Sequence, residues 1–516
     1  MAYIQKLSNE ILSAILDNIE SESQRCVSVD RREYLSVESF RLPSPPLPSQ
    51  AQDVANFRLT CQRFAELGIP YQYARVTLRF SSRGFRRLDN ICSNDRLIKH
   101  TRKFSYLVPL FYGNSRVQVS EFLRSTRPAD SYNSLHAASL GAKEKDQTTI
   151  LRSGEDVRIL RKAMAAFTAL QHVQILRLTD EADQRLLKLL ERDELDAAPS
   201  GQPVVDLRWS PACYHATKTI AEALMFAQSS FNKFSGPMMS PQSMLAIQRN
   251  IPQTLSSFAS GLTCLELHFE DGADVNTRIQ ELSSLFRAVL SAAKNLQAVH
   301  IGFPSRTPLD LNLEDIFHDI KWDKLRAFGI QACRLEAREI IWLARRHSKT
   351  LRGLRLRDVL LKEDSMWKDV LQVLRTEMEQ LDWVSLRRID YSNHFDDSWV
   401  GSMEVPDDTA FGSSDSDEEE DFPGHLSDAD LDADLDTDSD NGSDESSNAD
   451  TDHGPDANEL ALSPDTPASL PFCTCPGGSH ALNADDLGDN GHSVTYPQRK
   501  MWEKWVIGDY CPEHSG

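Results

Sequence analysis

Along the first seventy positions the apolar residues recur at helical intervals. In LSNEILSAILDNIE, Leu7, Ile11, Leu12, Ile15, Leu16 and Ile19 share one face of a helix, with Ser8 or Asn9 placed to cap its start and Glu10 suited to its first turn. In DVANFRLTCQRFAELGIP, Val54, Phe57, Cys61 and Phe64 fall at i, i+3, i+7 and i+10, with Leu67 next. The spacing predicts one helix over 53–67, capped by Asp53 and stopped by Gly68 and Pro70. Between the two runs, Ser21–Gln52 carries LPSPPLPS at 42–49 and reads as a disordered insertion. Closing so long a loop rather than a short one costs only about 2 kcal/mol, so the two helices can still pack as one unit. Two short amphipathic helices cannot bury both apolar faces alone, and the missing cover is either the rest of the chain or another protein.

After Pro70 the period changes. The template apolar-x-x-apolar-x-apolar fits Leu170-Val173-Ile175, Val204-Leu207-Trp209, Leu262-Leu265-Leu267, Leu296-Val299-Ile301, Leu325-Phe328-Ile330, Leu351-Leu354-Leu356 and Leu381-Val384-Leu386, with Tyr73-Val76-Leu78 as a possible earlier member. Successive starts lie 34, 58, 34, 29, 26 and 30 residues apart, and 58 is two steps of 29. Helical patterns fill the intervals: Ile279, Leu282, Leu285, Phe286, Val289 and Leu290 form one, and Trp367, Val370, Leu371, Leu374 and Met378 another, capped by Asp364. Such strand–helix units resemble leucine-rich repeats, which implies an irregular α/β solenoid. The match is loose. The Asn or Cys of that family, three residues past the last apolar position, is present only as Cys333; elsewhere the place holds Glu270, Pro304, Val359 or Ile389. An ordinary α/β domain with similar strands is the alternative. The stretch SSFNKFSGPMMSPQS (229–243) reads as a loop leaving the array.

Charge changes the picture in one place. The net charge is −21, yet Glu404–Asp456 alone holds 21 acids and no Lys or Arg, which leaves the remainder balanced at 56 acids against 56 bases. From 399 to 470 the composition turns to Asp, Ser, Gly and Pro, too polar and too like-charged to fold, and is expected to be disordered. A neutral body without a basic stripe in sequence argues against nucleic-acid binding through phosphates. No run of about 18 apolar residues predicts a membrane span, and MAYIQKLSNE lacks the order of a secretory signal. Nine scattered cysteines suit a reducing compartment, cytoplasm or nucleus, rather than a disulfide framework. Residues 471–516, with Trp502, Trp505, Val506, Ile507 and Tyr510, are expected to form a short element docked on the body.

Chemistry-bearing motifs are sparse. GxxxxGK[ST], GxSxG, HExxH and GxGxxG do not occur, so no catalytic residue and no cofactor is assigned and a non-enzymatic role is expected. His215, His268 and His300 read as structural or surface residues. DTDSDNGSDE (436–445) alternates Asp like a calcium loop, but its sixth and twelfth places hold Asn441 and Ser447, so a solvated acidic linker is the better reading. Cys473, Cys475, Cys511 and His514 could supply a tetrahedral zinc site, a weaker alternative to surface thiols because CxC is not the usual spacing. Ser414 and Ser416, each with an acid three residues on, suit an acid-directed kinase.

The paired N-terminal runs resemble an F-box. Leu7, Glu10, Ile11, Leu12, Ile15 and Leu16 match its first helix, and Val54, Phe57, Arg58, Leu59, Arg63 and Phe64 its L-x-x-L-R-x-x-x-K/R-x-aromatic helix; Ser8 replaces the family's Pro. The resemblance implies a substrate-recognition subunit of a cullin-RING ubiquitin ligase. Its helices would dock a Skp-family adaptor, and through it a cullin scaffold, while the following region would select a protein target. Leu7, Glu10, Ile11, Leu12, Ile15, Leu16, Val54, Phe57, Arg58, Leu59 and Phe64 are the implied adaptor contacts. The expected organisation is a helical module at 1–70, with its insertion at about 21–52, a repeat-like body at 71–398, an acidic segment at 399–470 and a docking segment at 471–516. Rival readings are a repeat scaffold without ligase recruitment, in which the N-terminal helices merely cap the body, and an acidic-tract binder of basic partners such as histones.

Overall fold

The computed structural model describes residues 4–19, 48–112, 131–178, 183, 210–227, 231–250, 259–269, 274–303, 308–394 and 483–508. Eleven strands among them build one sheet: β1 (Arg75–Arg79), β2 (Lys103–Pro109), β3 (His172–Leu178), β4 (Lys233–Met239), β5 (Cys264–Phe269), β6 (Ala298–Gly302), β7 (Leu309–Asp310), β8 (Ala327–Leu335), β9 (Gly353–Leu361), β10 (Trp383–Arg387) and β11 (Asp390–Tyr391). Every pairing among the described residues is parallel, in the order β1-β2-β3-β4-β5-β6-β8-β9-β10, with β7 on β8 and β11 on β9. Parallel neighbours need a long crossover, and helices occupy these: α4 (Ser82–Cys92) and α5 (Asp95–Ile98); α6 (Ser131–Ser153) and α7 (Glu155–Ala166); α8 (Ser210–Ala227); α9 (Pro241–Asn250); α10 (Val275–Glu281) and α11 (Ser283–Ala292); α12 (Leu313–Phe317); α13 (Ala337–Arg346); α14 (Trp367–Thr376). Ahead of the sheet stand α1 (Asn9–Ile19), α2 (Pro48–Thr60) and α3 (Gln62–Gln72), and α15 (Tyr496–Val506) follows it.

The apolar template marks the strand positions that face the helices. Val76 and Leu78, Phe104 and Tyr106, Val173 and Ile175, Leu265 and Leu267, Val299 and Ile301, Phe328 and Ile330, Leu354 and Leu356, and Val384 and Leu386 all enter the main core. There they meet Leu88 of α4, Leu160 of α7, Ile220 of α8, Phe286 of α11, Leu343 of α13 and Leu371 of α14.

Several expectations need correction. The units are unequal and join into one sequential parallel sheet, not a leucine-rich solenoid of equivalent coils. Without a repeated Asn or Cys there is no side-chain ladder to make successive turns alike; Cys333 alone holds that position, buried, with its Sγ 3.6 Å from the carbonyl of Gln331. What recurs instead is a left-handed backbone kink two residues past the last apolar position, at Ala332 (φ 60°), Asp358 (φ 50°) and Arg388 (φ 47°). KFSGPMM is not loop but β4. Phe231 and Phe234 keep the template, and Gly236 takes its third place, where Met239 folds back so closely that an added Cβ would sit 2.5 Å from its sulfur. β2 was hidden likewise, because buried Thr101 stands at the first template position before Phe104 and Tyr106. The unit at Val204–Trp209 lies outside the described residues, as do 20–47 and 395–482.

The second predicted helix is two. It begins at Pro48 rather than after Asp53, so residues 48–52 are helical rather than part of the insertion, and it breaks at Cys61, whose backbone is extended (φ −164°, ψ 166°). Gly68 and Pro70 do not stop α3 but lie inside it. Gly68 is instead the place where the Arg58 side chain crosses: an added Cβ would meet Arg58 Cγ at 2.4 Å, and Arg58 Nε donates to the carbonyl of Ala65 at 3.2 Å. Nor does Asp364 cap α14. It has φ 63°, the N-cap is Met366, and the Lys368 amide donates 2.8 Å to the carboxylate of Asp489, far along the chain.

That last contact belongs to a docked C-terminal segment. Leu487, Trp502, Trp505 and Val506 are buried in the main core. Trp502 Nε1 donates to the carbonyl of Leu487 at 3.0 Å, and Arg375 of α14 lies 4.6 Å from the Trp505 ring centre while donating to that residue's carbonyl. Glu503 accepts from the amide of Leu386, occupying an outward-facing donor of edge strand β10. Burial raises the Glu503 carboxyl above its ordinary pKa.

Candidate interaction surfaces

The N-terminal helices pack on one another through side chains of their own, and α3 joins the main core only through Ile69. Leu12, Leu16, Val54 and Phe64 are buried, yet none belongs to the main core, which begins at Ile69 and Tyr73. Phe57 stacks on Phe64 with centroids 4.4 Å apart. Arg63 ties α3 to α1, its Nε 2.8 Å from Asn9 Oδ1 and its Nη2 2.7 Å from the Leu7 carbonyl; Tyr71 adds a hydrogen bond of 2.8 Å to Asp17. Ser8 caps α1 through the Ile11 amide at 3.5 Å, and its hydrogen bond to Glu10 holds that carboxyl below the usual range.

Of the eleven implied adaptor contacts, Leu12, Leu16, Val54 and Phe64 are thus used internally, and Leu7, Ile15, Phe57 and Arg58 are half-buried. Glu10 is exposed, and so are two large apolar side chains, Ile11 at 50% and Leu59 at 74%. The alternative zinc ligands Cys473, Cys475, Cys511 and His514 and the candidate phosphorylation sites Ser414 and Ser416 lie outside the described residues. No cluster of three or more His, Cys, Asp or Glu fit for a metal occurs among the described residues.

The sheet supplies a second surface that the sequence reading passed over. Strand side chains alternate, so the template's apolar positions face the helices and the residues between them face the other way. Registered pairing lines these up in three rows. The first runs Arg75, Lys103, His172, Lys233, Cys264, Ala298, Ala327, Gly353, Trp383; the second Thr77, Ser105, Gln174, Ser235, Glu266, His300, Gly329, Arg355, Ser385. In the third, Arg79 and Leu107 lie at one end and His268, Gly302, Gln331, Arg357 and Arg387 at the other. The signal was available: the second row is the residue between the last two apolar positions of each unit.

At the centre the rows are buried and joined by hydrogen bonds. Ser235 Oγ donates to Glu266 at 2.7 Å, so its oxygen accepts from His172 Nε2 at 2.9 Å, and Lys233 Nζ lies 3.6 Å from Glu266. The imidazole therefore donates to the serine and is not placed as its base, unlike the arrangement that activates a nucleophile. His268 and His300 stack with Nε2 atoms 2.8 Å apart. One of them must donate and the other accept. Burial first, then the guanidinium of Arg357, lowers the His268 pKa to about 3; burial and the His268 neighbour hold His300 well below its ordinary value, and burial does the same to His172. Gly302 is needed there, since an added Cβ would lie 2.4 Å from His268 Nε2.

Bases gather at the two ends of this face. Near β1, a cavity of about 290 Å³ is lined by Arg79, Arg83, Arg87, Lys143 and Asp146, with the Ser82 amide donating to Asp146 at 3.0 Å. At the other end stand Arg355, Arg357 and Arg387, beside Arg388, whose Nη2 pairs with Asp358 at 2.9 Å.

Together these features define an α/β protein built on a single parallel sheet, with helices packed on one face and registered rows on the other that are buried at the centre and carry bases at both ends. No protein-family model matches the chain, and no curated protein is significantly similar to it. Among the described residues no helix is long and apolar enough to cross a membrane.

Proposed function

We propose that this chain is a non-catalytic substrate-recognition subunit of a cullin-RING ubiquitin ligase. In this reading α1–α3 act as an F-box-like module that docks a Skp-family adaptor, and the body selects a protein target. The observation that carries it is the N-terminal helical cluster, whose buried Leu12, Leu16, Val54 and Phe64 lie outside the main core and which turns Ile11 and Leu59 to solvent at 50% and 74% exposure. Exposed aliphatic anchors on short helices are what a partner's apolar groove takes up. Half-buried Leu7, Ile15 and Phe57 would widen the contact. Likeness to leucine-rich repeats enters only as a likeness of strand pattern. A cytoplasmic or nuclear location is part of the proposal, in keeping with free Cys61, Cys92, Cys213, Cys264 and Cys333.

Co-purification tests it. The wild-type chain should retain the adaptor, and Ile11→Asp with Leu59→Asp should abolish retention while leaving the thermal unfolding midpoint nearly unchanged, because both side chains are already in water. Leu12→Asp with Ile15→Asp should abolish it too, at a cost to folding from buried Leu12. A folded wild-type chain that never retains the adaptor overturns the proposal and leaves the scaffold reading, with α1–α3 as a cap.

A further inference from the structure

We propose that the core on the helix side of the sheet holds a binding site for a small neutral hydrocarbon, aromatic or branched, about the size of one benzene ring. The site is a cavity of about 110 Å³ between β4 and β5 and the helices that cover them. It takes no residue from α1–α3 and does not rest on adaptor docking.

The cavity begins with the irregularity of β4. Gly236 stands where the strand template asks for an apolar side chain, the pairing with β5 shifts register between Gly236 and Met239, and the Met239 thioether folds back against Gly236. In neighbouring units a branched residue fills that place, Ile175 in β3 and Leu267 in β5. Met225 of α8 and Met244 of α9 line the same space from the helix side, together with Phe286 of α11. Three thioethers thus share one wall, and an unbranched thioether adapts to an irregular occupant better than Leu or Ile can.

The chemistry of the wall selects the ligand. Among the residues lining the cavity Thr217 alone is polar, and its Oγ1 already accepts from the amide of Ser240 at 3.0 Å. A water molecule settles in a buried space only with several polar partners, and these walls offer it none. Atoms that face an empty space lose their dispersion contacts, whereas protein interiors are close-packed with few voids larger than a water. An uncharged molecule without hydrogen-bonding groups restores those contacts with no polar group to desolvate. Cavities of comparable size lined by Leu, Ile and Phe take up benzene.

Depth sets the size and excludes a charged head group. Ile220, Leu262 and Leu290 on the wall are at most 1% exposed and belong to the main core. Ala221, Met244 and Val289, one each from α8, α9 and α11, are half-buried and form the rim. The space inside that rim holds about one ring. Its enclosure in the core favours a free small molecule over a side chain tethered to a partner's polar backbone.

Titration of the full chain with benzene tests the site, with benzoate as the charged analogue of the same ring. In protein isotope-labelled at the methionine methyls, the signals of Met225, Met239 and Met244 should shift saturably with benzene. Those of Met366, Met378 and Met501, which do not line the cavity, should stay in place. Benzoate should move none of them. At about ten times its dissociation constant, benzene should also raise the thermal unfolding midpoint by about 1–3 °C. Ala221→Leu, which fills the cavity from α8, should weaken benzene binding at least about tenfold. The proposal is overturned by the absence of a saturable shift at the cavity methionines, by an equal response to benzoate, or by unchanged affinity in a folded Ala221→Leu variant. Should that variant unfold, the methyl spectra of the wild-type chain decide the matter by themselves. Adaptor retention is read separately, and its failure leaves this result standing.

Discussion

His347 offers the sharpest test of how the core holds its polar groups. It is 2% exposed and stacks on Trp322 with ring centres 5.5 Å apart. Its Nε2 faces the backbone amide of Trp322 at 3.2 Å, and its Nδ1 faces the carbonyl of Leu343 at 3.1 Å. An amide can only donate and a carbonyl only accept, so the ring must carry its proton on Nδ1 and keep Nε2 bare. A second proton would set N–H against N–H in a buried site. Burial accordingly lowers the pKa to about 4, despite the opposing hydrogen bond to Leu343. The folded value lies below the unfolded one, near 6.5, so the stability this residue contributes is complete above about pH 6.5 and is lost as pH falls from there toward 4. Between pH 7 and pH 5 the loss amounts to roughly 2 kcal/mol, a sizeable share of a typical folding free energy. The perturbation is His347→Gln, whose amide can still accept from Trp322 and donate to Leu343 but does not titrate. Urea unfolding of both proteins at pH 7 and pH 5 is the assay. The variant should be less stable at pH 7, through the lost ring stacking, yet should lose about 2 kcal/mol less than wild type on acidification. Other titrating groups, such as Glu339 and Glu503 with their burial-raised pKa values, are common to both proteins and cancel in the comparison. Identical pH dependence of the two proteins would refute the reasoning.

Two further outcomes follow from packing. Trp502→Ala removes a fully buried ring and its hydrogen bond to Leu487, and should cost about 3–5 kcal/mol. Hydrogen exchange should show 483–508 opening together with the first turn of α14, which Asp489 caps; protection there unchanged from wild type would contradict the docking. Gly353→Ala should destabilise by about 1–3 kcal/mol or more in thermal unfolding, because its Cβ would fall 2.1 Å from the Trp383 indole lying across the strand.

Much of the sheet was legible because an apolar-x-x-apolar-x-apolar run has one dominant explanation, a strand with one face on a core. Seven of the eight runs fall on strands among the described residues, and the eighth lies outside them. β2 and β4 escaped where buried Thr101 and Gly236 took apolar places, the latter filled by a methionine three residues further on. Helix ends were harder. Asp53 and Asp364 look like caps, but a cap needs only some acceptor at the right place, and for α14 that acceptor is Asp489. Likewise Gly68 signals a helix stop until Arg58 is seen crossing it.

The sequence by itself determined the helical periodicity at the front, the strand pattern of the body, and the concentration of acid in one segment, because each depends on near neighbours. Only the tertiary structure decided which N-terminal apolar side chains are covered and which face water. It also decided that bases spread from Arg75 to Arg387 stand in register on one face of the sheet. Those properties arise from pairing between distant strands, and residues far apart in sequence become a surface only when hydrogen-bonded register brings them side by side.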